Sequence, residues 1–318
     1  MGQNPVEPRR EQLLNGLKVL VWSEPKSEKI TVKLRVHSGS TFDPAGKSGV
    51  MRLLAENLFP DAGTREFFEE ELGGSLEVES NYDFIEINAS GKASEFERIL
   101  DIIRTAVITP PIAPDTFKKV LDARLKAAQE ESKNPSVIAD LEIRKRLFGD
   151  FPYGRAENGT PESLAKIAHF DLIGARDKFL TADNSTLVII GNVREAYAVR
   201  AAKQLFGSWR KADKLIPPTF RQPEPVDPKI LVVDMPGAGT SEIRLAVRGL
   251  ARNDKDLMAA NFWTGIMEAR IRAGMPANLQ KRFSLRHTTN ALPGIFIISA
   301  SVPTEKTGET LKSLREQI

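Results

Sequence analysis

The sequence predicts an α+β fold in which one unit, a mixed β-sheet with flanking α-helices, occurs twice in tandem. Three observations indicate this fold. Short β-branched segments alternate with amphipathic helical segments, the strand patterns recur at a fixed spacing, and a proline-rich segment separates the two series. The length of 318 residues also suits two domains better than one.

Composition excludes several classes of protein. The chain carries 45 basic and 42 acidic residues, and the two signs are interspersed, which argues against nucleic acid or an anionic membrane as the main partner. No apolar run approaches the roughly 20 residues that a bilayer requires, so we expect a soluble chain with no membrane span. The absence of cysteine excludes disulfides, thiolate metal sites and cysteine nucleophiles.

The first series opens with two predicted strands and a helix. Residues 18–22 and 29–36 are β-branched and flank the turn signal Glu24-Pro25-Lys26, which predicts a hairpin. The apolar spacing over residues 49–59 predicts a short amphipathic helix.

A second helix is predicted over residues 64–72, ending at Gly73-Gly74. Alternating residues 75–80 and 83–89 then predict another pair of strands.

Helices dominate the rest of the first series. They are predicted over residues 94–107, 115–132 and 137–148, after Pro161, from His169, and up to about residue 206. Between the last two, the apolar residues 186–190 predict a strand buried on both faces.

The second series repeats the first. Residues 229–233 match 18–22 at an offset of 211, and the apolar positions of 29–36 and the strand at 85–90 return at the same offset. We therefore predict a first unit over residues 1–214, a proline-rich linker over 215–228 and a second unit over 229–318. The second unit stops at the counterpart of residue 107, so we expect it to be incomplete and the sequence to be a fragment of a longer chain.

Several segments together resemble the insulinase/pitrilysin family of zinc peptidases, which includes the mitochondrial processing peptidase and bacterial heterodimers. The matching segments are residues 15–20, 39–59, 72–80, 152–160 and 187–193. The resemblance implies two mixed α/β units per chain, and two chains or half-chains that close around a peptide chamber.

The catalytic positions of that family carry other residues here. In its His-x-x-Glu-His motif, two histidines bind zinc and the glutamate is the general base. The histidines fall on Arg52 and Glu56 and the base falls on Ala55. Arginine offers no lone pair to a metal, and alanine cannot transfer a proton. We therefore expect no catalytic residue, no metal site, no cofactor and no enzyme activity, with Arg52 and Glu56 forming a helix-surface ion pair.

Other candidate ligands do not restore a zinc site. The third family ligand falls near Glu130 or Glu131, where a solvated helix face is the simpler interpretation. His37, His169 and His287 have no histidine partner at i,i+4, so we interpret each as a surface or half-buried residue.

Two candidate substrate-binding sites remain. In the bacterial heterodimers one subunit supplies an Arg and a Tyr, which fall here on Leu279 and Arg286. Arg282 and Arg286 could hold a peptide carboxylate, or could be solvated strand charges. Family peptides add a strand to a sheet edge, here residues 75–80, where Glu77 and Glu79 would favour basic peptides or would protect the edge from aggregation.

These observations predict that the chain is a non-catalytic subunit, which pairs with an active zinc peptidase and contributes to its peptide chamber. The alternatives are a stand-alone peptide-binding or scaffold protein, which could be a homodimer, and a peptidase with displaced ligands. Residues 1–11 contain no signal segment, yet their polar character would fit a mature exported chain. We expect a periplasmic or exported protein, with the cytoplasm as the alternative.

Overall fold

The computed structural model describes residues 7–212, 221–224 and 230–317. The chain folds into two compact units, the first comprising Met1–Lys126 with Glu157–Pro217 and the second Ala127–Ala156 with Pro218–Ile318. We call them unit 1 and unit 2. Both contain helices and strands, as the predicted α+β fold requires. Within the described ranges, no helix is both long and apolar enough to cross a membrane.

Unit 1 is built on a six-stranded mixed sheet. Its strands are β1 (Arg9–Gln12), β2 (Lys18–Ser23), β3 (Lys29–Val36), β4 (Ser75–Ser80), β5 (Ile85–Lys92) and β6 (Ser185–Gly191). Their order across the sheet is β1-β2-β6-β3-β5-β4. β6 pairs parallel with β2 and antiparallel with β3.

The predicted hairpin between residues 18–22 and 29–36 is wrong, because β6 lies between these two strands. Ile189 of β6 is paired with Val21 on one side and with Val32 on the other. The apolar β6 is thereby hydrogen-bonded along both edges, which a β2–β3 hairpin would not allow. The prediction that β6 is buried on both faces also needs correction, because Leu187 and Ile189 are buried whereas the alternate residues are only half-buried.

Helices cover one face of this sheet. The helices of unit 1 are α1 (Val50–Glu56), α2 (Ala62–Glu70), α3 (Phe96–Ile108), most of α4 (Pro114–Glu131), α6 (Pro161–Leu164), α7 (His169–Phe179) and α8 (Glu195–Phe206). Helix α3 packs against β3 and β5, and α8 packs against β2 and α3. The covered face carries fully buried side chains such as Leu34 and Ile87. Helix α3 begins two residues later than predicted, because residues 93–95 form a 3₁₀ turn.

Unit 2 contains a smaller, antiparallel sheet. Its elements are α5 (Pro135–Phe148), β7 (Thr240–Arg248), α9 (Leu257–Gly274), α10 (Ala277–Gln280), β8 (Phe283–Thr288), β9 (Ile295–Pro303) and α11 (Thr307–Gln317). The strand order is β7-β9-β8, which is the order of β3-β5-β4 in unit 1. The core of unit 2 forms between this sheet and α9 and α11, around Ile271, Phe283 and Leu314.

The strand predicted at residues 229–233 is not observed. Residue 229 lies outside the described residues, as does most of the predicted linker, and residues 230–233 form no strand. Ile230 is 91% exposed and Val232 is 83% exposed. The counterpart of this segment in unit 1 is β2, which is hydrogen-bonded by β6. The described part of unit 2 contains no counterpart of β6, so these apolar residues have no strand to pair with.

Helix α5 groups with unit 2, whereas the predicted division places it in the first unit. Arg244 of β7 donates from Nε to Asp140 Oδ1 at 2.5 Å and from a terminal nitrogen to Ser136 Oγ at 2.6 Å. Arg248 donates to the carbonyl of Leu147 at 3.1 Å. The helix therefore covers the polar face of β7. Its partners lie about a hundred residues away in sequence, which local patterns do not reveal.

Candidate functional site

The N-terminus of helix α1 is held in place by a buried carboxylate. The amides of Gly49 and Met51 donate to the two oxygens of Asp43 at 2.7 and 2.8 Å. A carboxylate at this position satisfies free helical N–H groups and favours the positive end of the helix dipole. Sequence reasoning gave Asp43 no structural role. Its position shortly before a helix start was the available signal for a cap.

The loop before α1 is also tightly packed. Gly49 has φ +104°, and a Cβ at this residue would lie 2.8 Å from a methyl group of Leu164 and 3.1 Å from Gly159. Ser163 Oγ donates to the carbonyl of Ser48 at 2.8 Å. Glycine is required by both the backbone conformation and the lack of space. The start of α1 is thus determined by several independent contacts.

The three positions of α1 that are predicted to correspond to the zinc motif form an ion pair beside a buried alanine. Arg52 Nε lies 2.7 Å from Glu56 Oε1, with the two side chains 29% and 28% exposed, and Ala55 is buried. This is the predicted i,i+4 ion pair. The guanidinium has no lone pair, and the carboxylate is already engaged by it. Their arrangement can stabilise the helix surface but supplies neither a metal ligand set nor a base.

The remaining candidate ligands are dispersed. His37 lies within hydrogen-bonding distance of Thr186 Oγ1, and His169 of the carbonyl of Ile112. Glu130, near the end of α4, pairs with Lys133 at 2.8 Å. Among the described residues, no group of three or more His, Cys, Asp or Glu side chains is placed to hold a metal ion.

The predicted edge strand is observed. β4 is the outermost strand of its sheet and packs beside α1 and α2. The amide of Asn81 donates to Phe84, just before the adjoining strand β5, and that of Ser75 donates to Ser90 Oγ. Since backbone groups alternate in direction along a strand, the peptide groups of Leu76 and Val78 point to the open side. They are available to an added strand.

Glu77 and Glu79 project from the face of this sheet opposite the apolar core. Both side chains are exposed, and neither forms an ion pair with any described residue. Glu79 is paired in register with Glu86 of β5. Glu86 is itself bound by Arg35 of β3 at 2.6 Å. The Arg35–Glu86 pair was not foreseen, although the alternation of polar residues along β3 and β5 was a signal for it.

Arg282 and Arg286 lie in unit 2. Arg286 is an exposed residue of the edge strand β8, and Arg282 is exposed immediately before it. β8 is the counterpart of β4, and Arg286 occupies the position of Glu77 at an offset of 209. The side chain of Leu279, the other aligned position, lies outside the described residues. A role for the two arginines in holding a carboxylate stays a prediction.

Two models of one protein family match this chain. A family model described as "Insulinase (Peptidase family M16)" matches residues 18–157, and "Peptidase M16 inactive domain" matches residues 166–318. The chain belongs to the M16 (insulinase) family. The assignment of the zinc-motif positions to Arg52, Ala55 and Glu56 stays a prediction.

Curated relatives are distant in sequence. An uncharacterised zinc protease of Rickettsia bellii is 23% identical over 208 residues, covering 64% of this chain and 50% of the relative. The mitochondrial-processing peptidase subunit beta of Blastocladiella emersonii is 25% identical over 291 residues, covering 87% of this chain and 60% of the relative. The chain thus spans about half of the first relative and three fifths of the second.

A solved structure confirms the fold. The crystal structure of a peptidase M16 inactive domain from Pseudomonas fluorescens superimposes with a TM-score of 0.87 at 21% identity. The match covers 98% of this chain and 78% of the other. The mixed α/β architecture expected from the sequence is therefore shown.

Proposed function

We propose that this M16 chain is a non-catalytic subunit that pairs with an active zinc peptidase and forms part of its peptide-binding chamber. One observation carries the proposal. Helix α1 keeps an elaborate support, through Asp43, Gly49 and Ser163, while its exposed face carries an ion pair in place of zinc ligands.

The descriptions of related proteins support this assignment in part. The second half of the chain matches a model described as an inactive domain, and the relative from Blastocladiella emersonii is named as a subunit. Another relative is named a zinc protease, so the assignment as non-catalytic rests on the residues at positions 52, 55 and 56 of this chain.

Peptide binding is the part of the function that needs no metal. The free edge of β4 offers the peptide groups of Leu76 and Val78 to an extended segment. Pairing with a sheet edge gives affinity through main-chain hydrogen bonds, whatever residues stand on α1. We propose this edge as the contribution of the subunit to substrate binding.

Reconstitution tests the partner role. The chain is mixed with candidate subunits that carry an intact His-x-x-Glu-His motif, and the mixture is assayed by size-exclusion chromatography and by cleavage of a fluorogenic peptide. We expect a stable complex that cleaves faster than the candidate partner alone. Replacing the motif glutamate of the partner by glutamine should abolish all cleavage in the mixture. The proposal fails if no candidate forms a complex, or if cleavage survives that replacement.

The second candidate is a stand-alone peptide-binding protein, and the free β4 edge favours it equally because the edge lies within one chain. Peptide affinity separates the two. A stand-alone binder should hold peptide as tightly alone as in any mixture, whereas a chamber subunit should gain affinity when its partner is present.

A further inference from the structure

The open face of the unit 1 sheet carries a row of charges that ends at the free edge. The row runs from Arg35 on β3 through Glu86 on β5 to Glu79 on β4, which are paired in register across the three strands. Side chains that are directly opposite in antiparallel strands lie on the same face and interact. The outermost two members are therefore like charges.

The inner carboxylate is already neutralised, whereas the outer one is not. Glu86 is largely buried and lies 2.6 Å from Arg35 and 4.0 Å from Lys33. Glu79 has Glu86 on its inner side, and no described strand pairs with β4 on its outer side. Like charges that are directly opposite are destabilising. A cation placed beyond Glu79 would neutralise this outer carboxylate, as Arg35 neutralises the inner carboxylate of Glu86.

A second row lies parallel to the first. Glu77 is paired in register with Asn88, and Asn88 with Lys33. Glu77 also ends its row at the open edge and is exposed. Two unpaired carboxylates therefore stand at i and i+2 along the same strand, on the same face.

The backbone of β4 determines how an added strand would meet these carboxylates. In antiparallel pairing, the added residue opposite Val78 forms a hydrogen-bonded pair with it, because the peptide groups of Val78 point outwards. The added residues opposite Glu77 and Glu79 then occupy non-hydrogen-bonded pairs, in which side chains approach most closely. Antiparallel pairing is also the more stable arrangement per residue.

We propose that the free edge of β4 selects extended peptides with two basic residues separated by one residue, placed opposite Glu77 and Glu79. This inference rests on the proposed peptide-binding function and names its substrate class. Basic residues at adjacent positions would not serve, since one of them would point to the opposite face of the sheet.

Peptide spacing tests the inference. Labelled peptides Val-Thr-Lys-Val-Lys-Thr-Val and Val-Thr-Lys-Lys-Val-Thr-Val have the same composition, and fluorescence anisotropy with the full chain gives both affinities. The second peptide can place only one of its lysines opposite a carboxylate, so we expect the first, which forms one more exposed ion pair, to bind about two- to fivefold more tightly at low salt. The double variant E77Q/E79Q should abolish this preference. Its matched control E24Q/E28Q, which changes two exposed carboxylates in the β2–β3 turn, should retain it.

N-methylated peptides test the register. Methylating the amide of the central valine, which would face Val78, should reduce binding at least tenfold. Methylating the amides of both lysines, which would point away from β4, should have little effect. The inference is overturned if the two lysine spacings bind equally, if E77Q/E79Q keeps the preference, or if the lysine-methylated peptide is the one that fails. Equal spacings together with loss on central methylation would overturn only the basic selectivity and leave edge binding intact.

Discussion

β3 in unit 1 and β7 in unit 2 carry the same apolar pattern but differ greatly in burial. Leu34 and Val36 are 0% and 1% exposed, whereas their counterparts Leu245 and Val247 are 40% and 62% exposed. β3 has a strand on each side, while β7 pairs only with β9 among the described residues. The same alternation thus produces a strand in both places, but burial depends on neighbours that other parts of the chain must supply.

The helical layer shows the same difference. Leu100 of α3 is fully buried, and its counterpart Leu311 of α11 is 42% exposed. In unit 1, α8 packs against α3 and β2. The described part of unit 2 has no counterpart of either α8 or β6. Leu245, Val247 and Leu311 are therefore exposed at positions whose counterparts in unit 1 lie on elements next to β6 or α8. Both of these elements follow residue 184 in the chain.

The largest expected effect tests this difference in burial directly. Leu34→Ala should lower the free energy of unfolding of unit 1 by about 2–5 kcal/mol, because it empties a fully packed position. Leu245→Ala should lower that of unit 2 by about 1 kcal/mol or less, since Leu245 retains contact with water in the folded protein. Urea denaturation measures both free energies of unfolding, with the fluorescence of Trp209 reporting on unit 1 and that of Trp263 on unit 2. Equal losses would show that Leu245 is covered in solution.

A second pair of substitutions compares the polar faces. Arg244 has a 6% exposed side chain and binds Asp140 and Glu242, whereas its counterpart Lys33 is 38% exposed and lies 4.0 Å from Glu86. Arg244→Ala should lower the free energy of unfolding of unit 2 by about 2 kcal/mol, because it leaves the largely buried Glu242 without its cation. Asp140, the other partner, is 41% exposed and can be solvated instead. Lys33→Ala should change stability by about 0.5 kcal/mol or less, as exposed pairs do. The same denaturation curves measure both, and a small effect of Arg244→Ala would mean that α5 does not depend on this contact.

The smallest effect is a pH dependence confined to unit 2. Leu250 N–H donates to Nε2 of His287 at 3.1 Å, so Nδ1 carries the proton and donates to Asn261 Oδ1 at 2.9 Å. Burial lowers the pKa of His287 below its ordinary value of 6.5. The unfolded chain then binds a proton more readily than the folded one, so unit 2 should lose stability as pH falls from above 6.5 towards the folded pKa.

This dependence has a matched test. The counterpart of His287 in unit 1 is Val78, at an offset of 209. Thermal unfolding of unit 2 between about pH 7.5 and 5 should show the loss, and His287→Gln should reduce it. If the variant keeps the full pH dependence, another group in unit 2 is responsible.

Sequence reasoning was most successful where the information is local. The turn at Gly73, with φ +67°, and the β4–β5 pair follow from residue types and alternation. The ion pair of Arg52 and Glu56 follows from helical spacing. It failed at the β2–β3 hairpin, because β6 enters between the two strands from a distant part of the chain. It also missed the cap at Asp43, since a loop carboxylate reaches its partners only when the loop has folded.

The sequence by itself determined the repeat, the identity of most strands and the absence of histidine from α1, because periodicity and residue type are properties of neighbouring residues. Only the tertiary structure decided that α5 belongs with β7, that β6 lies between β2 and β3 and that Glu86 is neutralised by Arg35. These facts depend on pairings between distant segments. Local patterns specify which surfaces need a partner, but folding decides which segment provides it.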